Sequence, residues 1–124
     1  MSELNRTVVL AFYTAALVEK NAEAAVRLVS ESYKQHNPNI EDGSSGLRKF
    51  ITWYARQYPK STATVNRSFV DGDFVILDAH VVRCPGELGS AVADIFRLEN
   101  GTIVEHWDRI QAVPETSKNG NSMF

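Results

Sequence analysis

The chain has 124 residues, 44% of them hydrophobic and 23% charged, with a net charge of −2 at neutral pH. That length fits one domain able to bury roughly two-thirds of its unfolded surface, and the composition excludes a disordered chain. The basic residues are scattered, with no run that could follow a phosphate backbone, so nucleic acid is not an expected partner. No stretch approaches the about 18 apolar residues of a membrane span. The N-terminus lacks the charged-then-apolar pattern of a leader, so a cytoplasmic protein with no membrane contact is expected.

Leu4, Val8, Ala11, Phe12, Ala15 and Val18 recur at helical spacing and predict a first helix from Leu4 to about Glu19. Lys20-Asn21 ends it, with Asn21 as the residue tolerant of left-handed backbone, and Ala22 opens a shorter helix that runs to Leu28 or Val29. Ser32 to Asn39 reads as an extended segment, because Pro38 pushes the residue before it out of helical geometry. Gly43-Ser44-Ser45-Gly46 is a flexible entry to a third helix, marked by Leu47, Phe50, Ile51, Tyr54 and Tyr58 and stopped by Pro59.

From residue 61 the hydrophobic period changes to two. Strands are expected at Thr62–Val70, Asp73–Arg83, Ser90–Glu99 and Thr102–Ala112, as a four-strand antiparallel meander. Asp71-Gly72 and Asn100-Gly101 are hairpin signals, since a type I′ turn needs positive φ at both central residues. Residues 113–124 form a polar tail that ends on the apolar pair Met123-Phe124, which suits docking on the domain or on a partner equally. The whole chain, 1–124, reads as one domain. Helices followed by strands make it α+β, and a curved sheet around the first helix would leave a cavity at its open end.

The last strand carries the first candidate chemistry. Side chains alternate along a strand, so Val104, His106, Asp108 and Ile110 share one face and Glu105, Trp107, Arg109 and Gln111 the other. His106 and Asp108 are then about 6–7 Å apart on one side, a carboxylate and an imidazole placed for acid–base work. A base that removes a proton α to a carbonyl needs a carboxyl tuned by burial, and Asp108 is the candidate. On the preceding strand Asp94, Phe96 and Leu98 form one face; Asp94 would pair with a histidine across the sheet, act as a second acid, or bridge to an arginine. On the strand before that, Ile76, Asp78, His80 and Val82 oppose Val75, Leu77, Ala79 and Val81, and the pattern leaves open which set points inward. His36 and Asn37, on the proline-locked segment, are placed at a cavity rim as substrate-binding residues, and Tyr13, Tyr33, Trp53 and Tyr54 as its aromatic lining. Trp107, opposite Asp108, belongs to the outer face.

Other chemistries find no support. The lone Cys84 precedes Pro85-Gly86 and has no sequence neighbour that would activate it. The three histidines show no metal-ligand spacing, so no metal is expected. Gly43-Ser44-Ser45-Gly46 lacks the ending of a phosphate loop, and no nucleophile elbow is present.

Gln35-His36-Asn37-Pro38, the stretch from Gly43 to Phe50, Asp94 to Arg97, Asn100-Gly101, and Ile103 to Asp108 with its His106-Trp107-Asp108 core together resemble the SnoaL-like proteins. Gly120 and Met123-Phe124 look like a subgroup of them. These belong to the nuclear transport factor 2-like superfamily, which includes polyketide cyclases, ketosteroid isomerase and scytalone dehydratase. The resemblance implies a cystatin-like α+β cone, a curved and mostly antiparallel sheet wrapped around the N-terminal helices and enclosing a deep pocket. It implies homodimers packed through the outer sheet face. In the polyketide cyclases the aspartate of the His-Trp-Asp segment is the general base of a cofactor-free aldol closure, and it matches Asp108. Where those cyclases carry a pocket histidine, this chain has Asp94. The expected activity is therefore that of a lyase, cyclase or isomerase without a cofactor, acting on a small hydrophobic carbonyl compound. Asp108 would be the base, and His106 with His80 or Asp94 would stabilise the enolate. A dimeric pocket protein that holds such a ligand unchanged, and a plain dimerisation module, stay open beside it.

Overall fold

The structure, a computed structural model, describes residues 2–124. Helix α1 spans Ser2–Tyr13 and continues as a π-helical turn at Thr14–Val18, where Glu19 N–H reaches back to the Thr14 carbonyl at 2.8 Å. The buried stripe is Asn5, Val9, Phe12, Tyr13, Ala15 and Ala16; it keeps Phe12 and Ala15 of the expected one, whereas Leu4, Ala11 and Val18 are exposed. The polar Asn5 hides that stripe in the sequence: it is buried because its side chain reaches the carbonyl of Gly72, in a hairpin turn. Lys20, not Asn21, takes the left-handed backbone at φ 55°. Asn21 is instead the N-cap of α2 (Ala22–Val26), its side chain accepting from Ala24 N–H at 3.1 Å.

Helix α2 is shorter than expected because the chain enters strand β1 (Val29–Gln35) at once. Helix α3 (Gly43–Gln57) then precedes β2 (Thr62–Asp71), β3 (Phe74–Val82), β4 (Ser90–Glu99) and β5 (Thr102–Ala112). The sheet has five strands in the order β1-β5-β4-β3-β2, antiparallel throughout except for the parallel β1–β5 pair. This is the expected α+β cone with a strand added. The segment expected to be merely extended joins the sheet edge, and sequence periodicity cannot show a partner some seventy residues away. At the β4–β5 hairpin, Asn100 and Gly101 have φ 50° and 78°, as the turn signal requires.

The helices cover one face of the sheet. Val75, Leu77 and Ala79 of β3 are fully buried there, so Asp78 and His80 lie on the outer face. Phe96 and Leu98 of β4 and Ile103 of β5 complete this core with Val9, Phe12 and Ile51 from the helices. The pairing of β4 and β5 shifts register between Arg97 and Leu98, whose partners are Glu105 and Ile103. Val104 is thus the extra residue of a bulge, and Ile103 and His106 both turn inward. The tail folds back on its own domain: Val113 N–H bonds to the Gly89 carbonyl at 2.9 Å, and the Phe124 ring stacks on His80 at 4.1 Å. Among the described residues no helix is long and apolar enough to cross a membrane.

Helix α3 is seated against the backbone before it. A Cβ at Gly46 would lie 2.1 Å from the Glu41 carbonyl oxygen, so the second glycine of the entry is there for close approach. Gly46→Ala is expected to cost about 1–3 kcal/mol, read as a lowered urea midpoint with the slope retained; an unchanged midpoint would contradict this packing.

Candidate active site

Three neighbouring strands supply the polar end of a cavity of about 1170 Å³. The register places Asp94 of β4 directly opposite Asp108 of β5, and His106 beside Gln35 of β1. Asp94 and His106 are each 6% exposed, and Asp94 Oδ1 lies 2.8 Å from His106 Nε2. The other ring nitrogen, Nδ1, is 2.7 Å from Gln35 Oε1. Asp108 Oδ2 is 3.9 Å from His106 Nε2 and accepts a hydrogen bond from Asn37 Nδ2 at 2.8 Å. The remaining walls are mostly apolar, with Phe12, Leu47, Phe50, Ile51, Val92 and Phe96 among them. Tyr13, Tyr33 and Tyr54 line the cavity as buried residues, and Trp53, 46% exposed, stands at its edge.

The electrostatics follow from that burial. Asp94 is held above the ordinary carboxylate range chiefly by desolvation; the hydrogen bond and charge of His106 act in the opposite sense, and nearby Asp108 adds to the rise. Its Oδ2 is buried without a hydrogen-bond partner, as is the Tyr13 hydroxyl. Burial pushes the hydroxyls of Tyr13 and Tyr33 up as well, with Asp94 reinforcing both shifts, so both stay protonated at neutral pH. The Tyr13 O–H is thus a protonated donor without a partner in the cavity wall. Asp94, His106 and Asp108 have the donor types of a metal site, with atoms within 4.8 Å of one another. In the geometry present the closest pair, Asp94 and His106, is hydrogen-bonded at 2.8 Å.

The structure brings together Asp94, His106, Asp108 and Asn37 with the three tyrosines. It does not bring His80 or His36 to them. His80 lies on the outer face because the inward face of β3 is filled by Val75, Leu77 and Ala79; its Nε2 bonds to the Leu88 carbonyl at 2.8 Å. His36 also turns outward, one residue out of phase with Asn37. Its ring stacks on Trp107 at 4.8 Å and its Nε2 meets Glu105 Oε2 at 2.7 Å. That hydrogen bond, with Arg97 behind it, holds the Glu105 carboxyl below its usual range. Gln35 is the site residue that sequence reasoning missed. The signal was available: it alternates with His36 and therefore shares a side with Asn37.

Linkage gives the pH consequence. Because the folded protein holds Asp94 above its unfolded range, folding favours the protonated carboxyl. The stabilising contribution is complete below the unfolded range and is lost as pH rises through the raised folded one. Asp94→Asn removes that titration. Urea denaturation from about pH 4 to pH 8 is expected to show wild-type stability falling relative to the variant; parallel profiles would contradict the raised carboxyl.

Comparison with known proteins agrees with the architecture. TsrD from Streptomyces laurentii superposes with a TM-score of 0.75 at 21% identity, over 89% of this chain and 90% of that one. A cystatin-fold protein from Novosphingobium aromaticivorans gives 0.73 at 17% identity, over 88% and 98%. A candidate polyketide cyclase from Bacillus cereus gives 0.70 at 18% identity, over 83% and 71%. No curated protein matches the sequence. Residues 9–106 match the SnoaL-like domain, and the chain belongs to that family.

Proposed function

We propose that the protein is a cofactor-independent cyclase, lyase or isomerase that moves protons on a small hydrophobic carbonyl compound, and that it works as a cytoplasmic homodimer of single-domain subunits. The observation that carries this reading is the convergence of Asp94, His106, Asp108 and the unpartnered Tyr13 hydroxyl on one end of a largely apolar cavity. Asp108, oriented by Asn37, takes the proton α to the carbonyl. The Asp94–His106 pair and the Tyr13 O–H serve the oxygen on which negative charge develops. Apolar walls hold the substrate against this end and exclude water, which strengthens each of those interactions.

The outer face supports the dimer. Register aligns Phe69, Ile76, Ile95 and Trp107 in one row across four strands. Phe69 and Ile76 in that row are exposed, as is neighbouring Phe74, whose ring lies 6.2 Å from Trp107. A second copy of the chain would cover this row. Ile76→Glu is expected to sediment as a monomer while melting as one folded species; an intact dimer would contradict this choice of face.

The reaction is tested without knowing the substrate. A panel of apolar ketones and β-dicarbonyl compounds is incubated with the protein in D₂O, and deuterium entering the α position is followed by NMR. Asp108→Asn is expected to lower enzyme-dependent exchange by about 10²–10⁴-fold while leaving the thermal melt intact. Exchange unchanged in the variant would remove Asp108 from the mechanism, and a bound compound that never exchanges would favour a ligand-holding protein.

A further inference from the structure

We infer that Gln35 is a positioning residue that fixes a proton on Nδ1 of His106, so that Asp94 and His106 hold one further proton in common and present it as the acid of the site. The use of that proton rests on the function proposed above; its location rests on hydrogen bonding.

The chain of constraint begins at a backbone amide. Asn37 N–H can only donate, and it donates to Gln35 Oε1 at 2.9 Å, which fixes the oxygen end of that side-chain amide. The opposite end is satisfied too, Gln35 Nε2 donating to the Tyr33 hydroxyl at 3.1 Å. The same Oε1 lies 2.7 Å from His106 Nδ1. An amide oxygen only accepts, so Nδ1 must carry hydrogen. A neutral imidazole with hydrogen on Nδ1 has a bare Nε2. That atom lies 2.8 Å from Asp94 Oδ1, and two bare acceptors at that distance repel. One proton therefore sits between them, on oxygen or on nitrogen, and the pair is electrically neutral either way.

The surroundings favour this count. Asp108 faces the pair from β5, Tyr13 from α1, Tyr33 from β1, and the Phe96 ring packs on His106 at 4.9 Å. The tyrosines are neutral, and no lysine or arginine bonds to Asp94, His106 or Asp108 through their side chains among the described residues. A second negative charge on Asp94 would be buried beside Asp108 without a counterion, which is costly.

The step balances without a co-reactant. Asp108 takes the substrate Cα proton, and the C–H electron pair becomes the new C=C bond. The carbonyl π pair moves to oxygen, which receives the shared proton. Asp108 ends neutral, the Asp94–His106 pair ends with one negative charge, and the substrate ends as a neutral enol. Reversal returns both protons.

The test is a long-range ¹H–¹⁵N spectrum of unliganded protein labelled at histidine. The chain has three histidines, and His36→Gln and His80→Gln assign the third. The wild type is expected to show His106 Nδ1 protonated through the neutral range and Nε2 intermediate between protonated and bare. In Asp94→Asn, Nε2 is expected to become fully bare. Gln35→Met, which removes the acceptor at similar length, is expected to strip Nδ1 of its proton and leave an ordinary Nε2–H donor to Asp94. Gln35→Glu, which keeps an acceptor, is expected to restore Nδ1–H. A bare Nδ1 in the wild type, or a Gln35→Met spectrum identical to wild type, would overturn the inference. Neither result bears on deuterium exchange through Asp108, so its failure and that of the proposed reaction are distinguishable.

Discussion

Burying a carboxyl group beside an imidazole at the end of an apolar cavity is the constraint to which the rest of the site answers. Neither group can be left unpaired in a medium of low dielectric. The protein meets this for Asp94 Oδ1 and both His106 ring nitrogens by drawing on three strands: Asp94 from β4, His106 from β5 and Gln35 from β1. The parallel pairing of β1 with β5 is what completes the set. Its position is held in turn by α3, because the Asp42 side chain at the entry to that helix accepts from Gln35 N–H at 2.7 Å. A helix start, an edge strand and the central hairpin are thereby coupled through one glutamine.

The same logic separates the two faces of the sheet. The inner face spends its polar residues only where strands β1, β5 and β4 lie side by side, and fills β3 with Val75, Leu77 and Ala79. Polar groups of the outer face are paired at the surface, Asp78 with Arg67 and Glu105 with both His36 and Arg97. The partly exposed Asp78–Arg67 pair contributes little to stability, and the fold is held by the apolar core and the sheet.

Much of this was legible in the residues. Asn100-Gly101 placed the hairpin, and period-two alternation placed four of the five strands and set His106 and Asp108 on one side, but Asp94 joins them only because the bulge shifts the register: without it Asp94 would face Trp107. The bulge at Val104 was not legible, because one extra residue leaves no mark in a run of β-formers; it is the reason Ile103 and His106 both point inward. The orientation of β3 was not legible because both its faces are apolar enough to be buried, and only packing against α1 and its neighbours decides between them. His80 was misplaced for that reason. His36 was misplaced because a histidine attracts a functional reading, whereas the informative residues were its neighbours on either side. The strand β1 itself, polar in Ser30, Glu31 and Ser32, gives no periodic signal, and its partner is distant in sequence.

What the account finally requires is a cavity wall that accepts negative charge on a bound oxygen without help from a cofactor. The most direct measurement is the absorption spectrum of 4-nitrophenol bound to Asp108→Asn protein, in which the neutral amide stands in for the protonated base of the enol-bound state. Bound nitrophenol is expected to ionise at lower pH than free nitrophenol, its phenolate oxygen taking the place of the developing enolate. Nitrophenol that binds and stays neutral, or ionises only where it does in water, would contradict the account.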